Sequence, residues 1–136
     1  DLNHKERQRE LDSLLGDFGL VELSNTLGIK LSGGERRRTE IARSVASNPQ
    51  FILLDEPFAG IDPIAVSDLK DIIHSLNKKG IGVLISDHNV RDTMNICKQV
   101  LIVNKGKIIA NGDPSEIAND KLVKEVYLGQ DFDTEL

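Results

Sequence analysis

The run Phe51-Ile52-Leu53-Leu54, preceded by Asn48-Pro49 and followed by Asp55-Glu56-Pro57, constrains this chain more than any other feature. Four consecutive apolar residues without alternation have the length and pattern of a strand buried on both faces. The strand delivers two adjacent carboxylates to its end, and the carboxyl edge of an open α/β sheet is where ligands bind. A second apolar segment, Gly82–Ser86, has the same character. Between the two lies a helical stripe, Leu69, Ile72, Ile73 and Leu76, which opens at Asp62-Pro63 and stops at Gly80. Strand, helix, strand predicts a parallel sheet joined by right-handed crossovers, hence an α/β fold.

The flanking segments are predicted in the same way. Leu11, Leu14, Leu15 and Phe18 have helical spacing from about Lys5, with Gly19 as a stop, and Leu20–Lys30 reads as a turn and loop. Ser32 reads as an N-cap with Glu35 as its capping-box partner, opening a helix through Ile41, Ala42 and Val45. Beyond Asp87-His88 a helix runs through Met94. Val100–Val103 and Ile108–Ala110 pair as a hairpin about the turn Asn104-Lys105-Gly106-Lys107. Asp113-Pro114 opens a short helix, and Leu122, Val123 and Val126 suggest another.

A chain of 136 residues can bury one modest core. Its net charge of −5 argues against nucleic acid as a partner, because phosphate-backbone binding needs a basic surface. Arg36-Arg37-Arg38 is the one dense basic cluster; on a helix its members diverge, which predicts a solvated face. The single cysteine, Cys97, forms no internal disulfide and, beside Ile96 in an apolar helical pattern, is expected to pack as core. No apolar run approaches the roughly 18–20 residues that cross a bilayer, so a membrane role is expected only through partners. The first residue is Asp1 and the single methionine is Met94, so the chain is read as part of a longer protein.

Three groups carry chemistry. Ser32-Gly33-Gly34-Glu35 is a polar helix start whose free N–H donors and partial positive charge can grip an anion, with glycines that let a phosphate approach the backbone. Asp55 and Glu56, as neighbours on a strand, point to opposite sides and so divide two roles. Asp55 is assigned to Mg²⁺ and Glu56 to an attacking water, since magnesium takes one or two carboxylates and keeps several waters. His88 follows the next strand and is expected on the same edge as Glu56, where it could hold the water, Glu56 or a terminal phosphate. His4 and His74 read as surface residues. The single phosphate-loop candidate fails: Gly106-Lys107 precedes Ile108 where Ser or Thr is required, and Leu101 stands at the first glycine position.

These motifs, in this order and spacing, resemble the ATP-binding-cassette (ABC) ATPases. Leu31–Glu35 is similar to the family's signature motif, Phe51–Glu56 to its Walker B strand and catalytic glutamate, Gly60-Ile61-Asp62 to its D-loop, and His88 to its switch histidine. Glu35–Arg43, Asp55–Pro63, Ser86–Val90 and the ending Val126–Phe132 are most similar to ATPase subunits of lipopolysaccharide exporters. Branched-chain amino-acid transporter ATPases are the nearest alternative, and DNA-maintenance ABC ATPases a more distant one; a non-enzymatic interaction module is a third class.

The resemblance implies a partial P-loop NTPase fold. Residues 1–47 would belong to the helical subdomain, ending in the signature helix, and residues 48–136 to the C-terminal part of the ATPase core with a β-hairpin and short helices. It implies ATP and Mg as cofactors and a head-to-tail dimer with a second copy. Leu31, Ser32, Gly33, Gly34 and Glu35 would contact the nucleotide of the partner subunit, and Asp62 would link the sites across the interface. Asp55, Glu56 and His88 would serve the chain's own nucleotide. The other implied partners are transmembrane transporter subunits on the cytoplasmic face of the bacterial inner membrane. The phosphate loop, adenine-stacking aromatic and glutamine loop of the family are missing from the 136 residues, so the chain alone is expected neither to bind ATP well nor to hydrolyse it.

Overall fold

The computed structural model describes residues 3–128, which form two compact units meeting between His88 and Asn89. This partition by compactness differs from the partition at residue 47 drawn on motif content. The end of the expected motif Val126–Phe132 lies outside the described residues.

In the first unit, helix α1 (His4–Asp17) is closed by an Asn3/Glu6 capping box. Of its apolar stripe only Phe18, at the C-cap, is buried: Leu14 and Leu15 are half-buried and Leu11 is exposed. Two 3₁₀ turns, Val21–Leu23 and Gly28–Lys30, lead to helix α2 (Gly33–Val45). Strand β1 (Phe51–Asp55) pairs in parallel with β2 (Gly82–Ser86) from Phe51 opposite Gly82 to Asp55 opposite Ser86. The crossover is helix α3 (Pro63–Lys78), capped by Asp62, whose Oδ1 accepts from the N–H groups of Ile64 and Ala65 at 3.0 Å. Pro63 at the first helical position lacks the N–H that would otherwise be orphaned. Ile52, Leu54, Val66, Leu69, Ile73 and Leu76 are buried in this unit. An ion pair of 2.6 Å between Lys79 Nζ and Asp17 Oδ2 joins the loop after α3 to the end of α1.

The burial of β1 departs from the two-sided pattern expected of its apolar run. β1 is buried on one face only: Ile52 and Leu54 are inside, while Phe51 is 72% and Leu53 74% exposed. Leu84 of β2 is exposed as well. The unit holds only two paired strands, so an apolar run written for two covered faces has one uncovered among the described residues.

The second unit contains helix α4 (Val90–Met94), the antiparallel strands β3 (Val100–Asn104) and β4 (Lys107–Gly112), helix α5 (Pro114–Asn119), and the turn α6 (Lys121–Val123), which continues as a π-helical turn over Lys124–Leu128. The hairpin turn uses left-handed backbone at Lys105 (φ 47°) and Gly106 (φ 75°), the twist that two-residue hairpin loops favour. Met94, Val100, Ile102, Ile117, Ala118 and Val123 form its core, with Cys97 packed against it. Burial pushes the Cys97 thiol above its ordinary pKa, which disfavours the reactive thiolate and fits the expected packing role. Leu122 and Val126, expected on the last helical face, are exposed.

Candidate functional site

All expected site residues fall in the first unit: Asp55, Glu56 and His88 at the carboxyl edge of β1 and β2, Leu31–Glu35 at the start of α2, and Asp62 at the start of α3. Leu31 ends the second 3₁₀ turn, its N–H donating to the Gly28 carbonyl at 3.3 Å, and Ser32 caps α2. The Ser32 Oγ accepts from the Glu35 N–H at 3.3 Å, and the Ser32 N–H donates to Glu35 Oε2 at 2.8 Å, completing the expected box. That backbone bond, then the Ser32 hydroxyl, then the Arg38 guanidinium hold the Glu35 carboxyl below the usual carboxylate range.

The glycines after Ser32 have a packing role that the sequence did not reveal. A Cβ on Gly34 would lie 2.6 Å from the Ala65 Cβ in the first turn of α3, and a Cβ on Gly33 would lie 3.2 Å from Ile61 Cγ2 and 3.4 Å from the Gly60 carbonyl oxygen. The absent side chains therefore let the start of α2 seat against the loop 60–62 and α3. Access for a phosphate was the expected reason for both glycines. At Gly34, which is buried, the neighbouring helix already occupies the space.

At the end of β1, Asp55 is exposed and its Oδ1 accepts from the Ser86 hydroxyl at 2.5 Å. Glu56 lies one residue beyond the strand with a left-handed backbone, φ 45°. Its direction is therefore set by a turn and not by strand alternation, although its N–H still reaches the Ser86 carbonyl at 2.7 Å. His88, which follows β2, brings Nδ1 to 3.5 Å from Glu56 Oε1. Both side chains are solvent-facing, 70% exposed for His88 and 57% for Glu56, so a ligand has access to the pair.

Two further residues hold this turn. Asp87, whose side chain is 1% exposed, accepts from the Phe58 N–H at 3.1 Å and so ties the end of β2 to the segment after Glu56. Arg37 donates to the Glu56 carbonyl at 3.3 Å and to Glu40 Oε2 at 3.0 Å, and Arg38 pairs with Asp68 of α3 at 3.1 Å. The expected solvated triplet is thus corrected. Of the three, Arg36 alone is exposed, because divergence around the helix points its two neighbours at other elements.

Among the described residues no group of three metal-ligating side chains converges. Mg²⁺ does not need one, since it takes one or two carboxylates and fills its remaining positions with water and phosphate oxygens. The accessible Asp55 carboxylate, fixed by Ser86, fits that requirement. Among the described residues, no helix is long and apolar enough to cross a membrane.

Comparison with known proteins gives the context for this arrangement. A family profile described as "ABC transporter" matches residues 2–59. The chain is 55% identical over 132 residues to the lipopolysaccharide export system ATP-binding protein LptB of Haemophilus influenzae, and 54% identical to its Escherichia coli counterpart. This chain belongs to the ABC transporter ATP-binding family. The two alignments cover 97% of it but only 55% of either relative, so it spans about half the length of the proteins it matches. A second profile, of branched-chain amino acid ATP-binding cassette transporters, matches residues 107–133.

Solved ATP-binding cassettes share the fold of this ABC chain. One, described as the ADP conformation of an ATP-binding cassette of an ABC transporter, superposes with a TM-score of 0.84 at 29% identity, covering 95% of this chain and 52% of that one. Another, from Clostridium perfringens and described as part of an ABC transporter complex, gives 0.82 at 29% identity over 96% and 53%. The fold is therefore part of the α/β architecture of ABC ATPases.

Proposed function

We propose that this chain supplies the water- and metal-handling side of an ATP site in an ABC transporter subunit that powers lipopolysaccharide export. The observation that carries the proposal is the convergence of Glu56 and His88, 3.5 Å apart and solvent-facing, beside Asp55 at the carboxyl edge of two parallel strands. Export of lipopolysaccharide is favoured over branched-chain amino-acid import because the similarity to export proteins runs through 97% of the chain, whereas the branched-chain profile matches only residues 107–133.

In this reading the Glu56 carboxylate orients a water and takes its proton as the water oxygen bonds to the terminal phosphorus of ATP and the bond to the bridging oxygen breaks. His88 donates to the terminal phosphate or keeps Glu56 directed at the water. Asp55 would hold Mg²⁺, which neutralises charge on the phosphate oxygens when bound. Ser32, Gly33, Gly34 and Glu35, with Leu31 before them, would meet the nucleotide of a second copy, and Asp62 would lie at that head-to-tail interface while capping α3. The phosphate loop and its lysine would come from protein outside these 136 residues. Coupling to transmembrane subunits would put the protein on the cytoplasmic face of the inner membrane.

His88→Ala in the intact subunit tests this directly. It is expected to lower steady-state ATP turnover by about 10²-fold, the usual loss for one positioned donor, with Mg·ATP affinity held. Unchanged turnover would contradict the assignment.

A further inference from the structure

The Glu56 backbone is held in a conformation that a non-glycine residue seldom adopts (φ 45°). Left-handed backbone of this kind persists only where its surroundings fix it. Three contacts fix it. The Glu56 N–H donates to the Ser86 carbonyl at 2.7 Å; the Glu56 carbonyl accepts from the Ala59 N–H at 3.2 Å; and the same carbonyl accepts from Arg37 Nη2 at 3.3 Å. The first two are local to the sheet and turn. The third comes from α2, the helix that opens at the Ser32 cap.

Arg37 is itself held, since its Nη1 contacts Glu40 Oε2 at 3.0 Å one turn further along the same helix. Its guanidinium therefore transmits the position of α2 to the peptide plane that aims the Glu56 side chain. We infer that Arg37 is a positioning residue for hydrolysis, making the orientation of the Glu56 carboxylate depend on where the signature helix sits. The inference rests on the proposed role of Glu56. In the proposed dimer it would give the nucleotide gripped at Ser32 a mechanical route to the carboxylate serving the other nucleotide.

Removing this contact leaves the Ala59 bond and the Asp87–Phe58 bond in place, so the turn should keep its fold while the Glu56 peptide gains freedom. In the intact subunit, Arg37→Ala is expected to lower kcat for ATP about tenfold, since small misplacement of a reacting group is costly. KM and the melting temperature should be unchanged. Arg37→Lys, which keeps a donor on a long stem, should recover most of the turnover, whereas Arg37→Met, similar in reach but without a donor, should behave like the alanine variant. Wild-type turnover in Arg37→Ala, a change confined to KM, or equal failure of the lysine and methionine variants would overturn the inference. Glu56→Gln serves as the control. If it stops turnover while Arg37→Ala does not, only the inference fails; if it leaves turnover intact, the reading beneath it fails.

Discussion

Glu56→Gln is expected to lower ATP turnover in the intact subunit by about 10²–10⁴-fold, or roughly 3–5 kcal/mol of barrier, while leaving Mg·ATP binding in place. The substitution keeps the length and shape of the side chain and removes its charge and basicity. The peptide would remain fixed by Ser86, Ala59 and Arg37, so the glutamine should occupy the same position 3.5 Å from His88. Because the amide cannot accept the water proton, the nucleotide should bind and remain uncleaved. Turnover by coupled assay and nucleotide retention on a desalting column separate the two effects. Loss of both would assign Glu56 to binding or folding.

Gly34→Ala is expected to act on folding more than on chemistry. Its methyl group would lie 2.6 Å from the Ala65 Cβ, a distance that neither helix can relieve by rotating a side chain. Overpacking of this kind costs about 1–3 kcal/mol, so the thermal midpoint should fall by several degrees. The diagnostic experiment is the double variant with Ala65→Gly, which removes the opposing methyl group. Glycine within a helix carries its own penalty of about 0.5–1 kcal/mol, yet the pair should be more stable than Gly34→Ala alone. Additive losses would mean that the two positions do not meet.

Both predictions rest on contacts that the sequence reveals only in part. The local chemistry was legible: the Ser32/Glu35 box, the Asp62-Pro63 helix start and the Lys105-Gly106 turn each depend on neighbours within a few residues. The parallel pairing of β1 and β2 was legible from the apolar run, the helical stripe and the second run. Long-range contacts were not. Arg37 reaching Glu56, Arg38 reaching Asp68 and the Gly34–Ala65 approach depend on how α2 lies against the rest of its unit, which no periodicity encodes. The two-sided burial predicted for Phe51–Leu54 failed for a related reason. The sequence pattern records how much covering a strand is built to receive, and among the described residues only one face receives it.

In the proposed reading these 136 residues carry the water- and metal-handling side of an ATP site, and the phosphate loop lies in protein outside them. Calorimetric titration of Mg·ATP into this chain, with its folding verified by a cooperative thermal transition, decides whether that reading holds. No binding heat is expected even at millimolar nucleotide. Saturable binding at micromolar concentration would contradict it, because the phosphates would then be held by groups other than those assigned here.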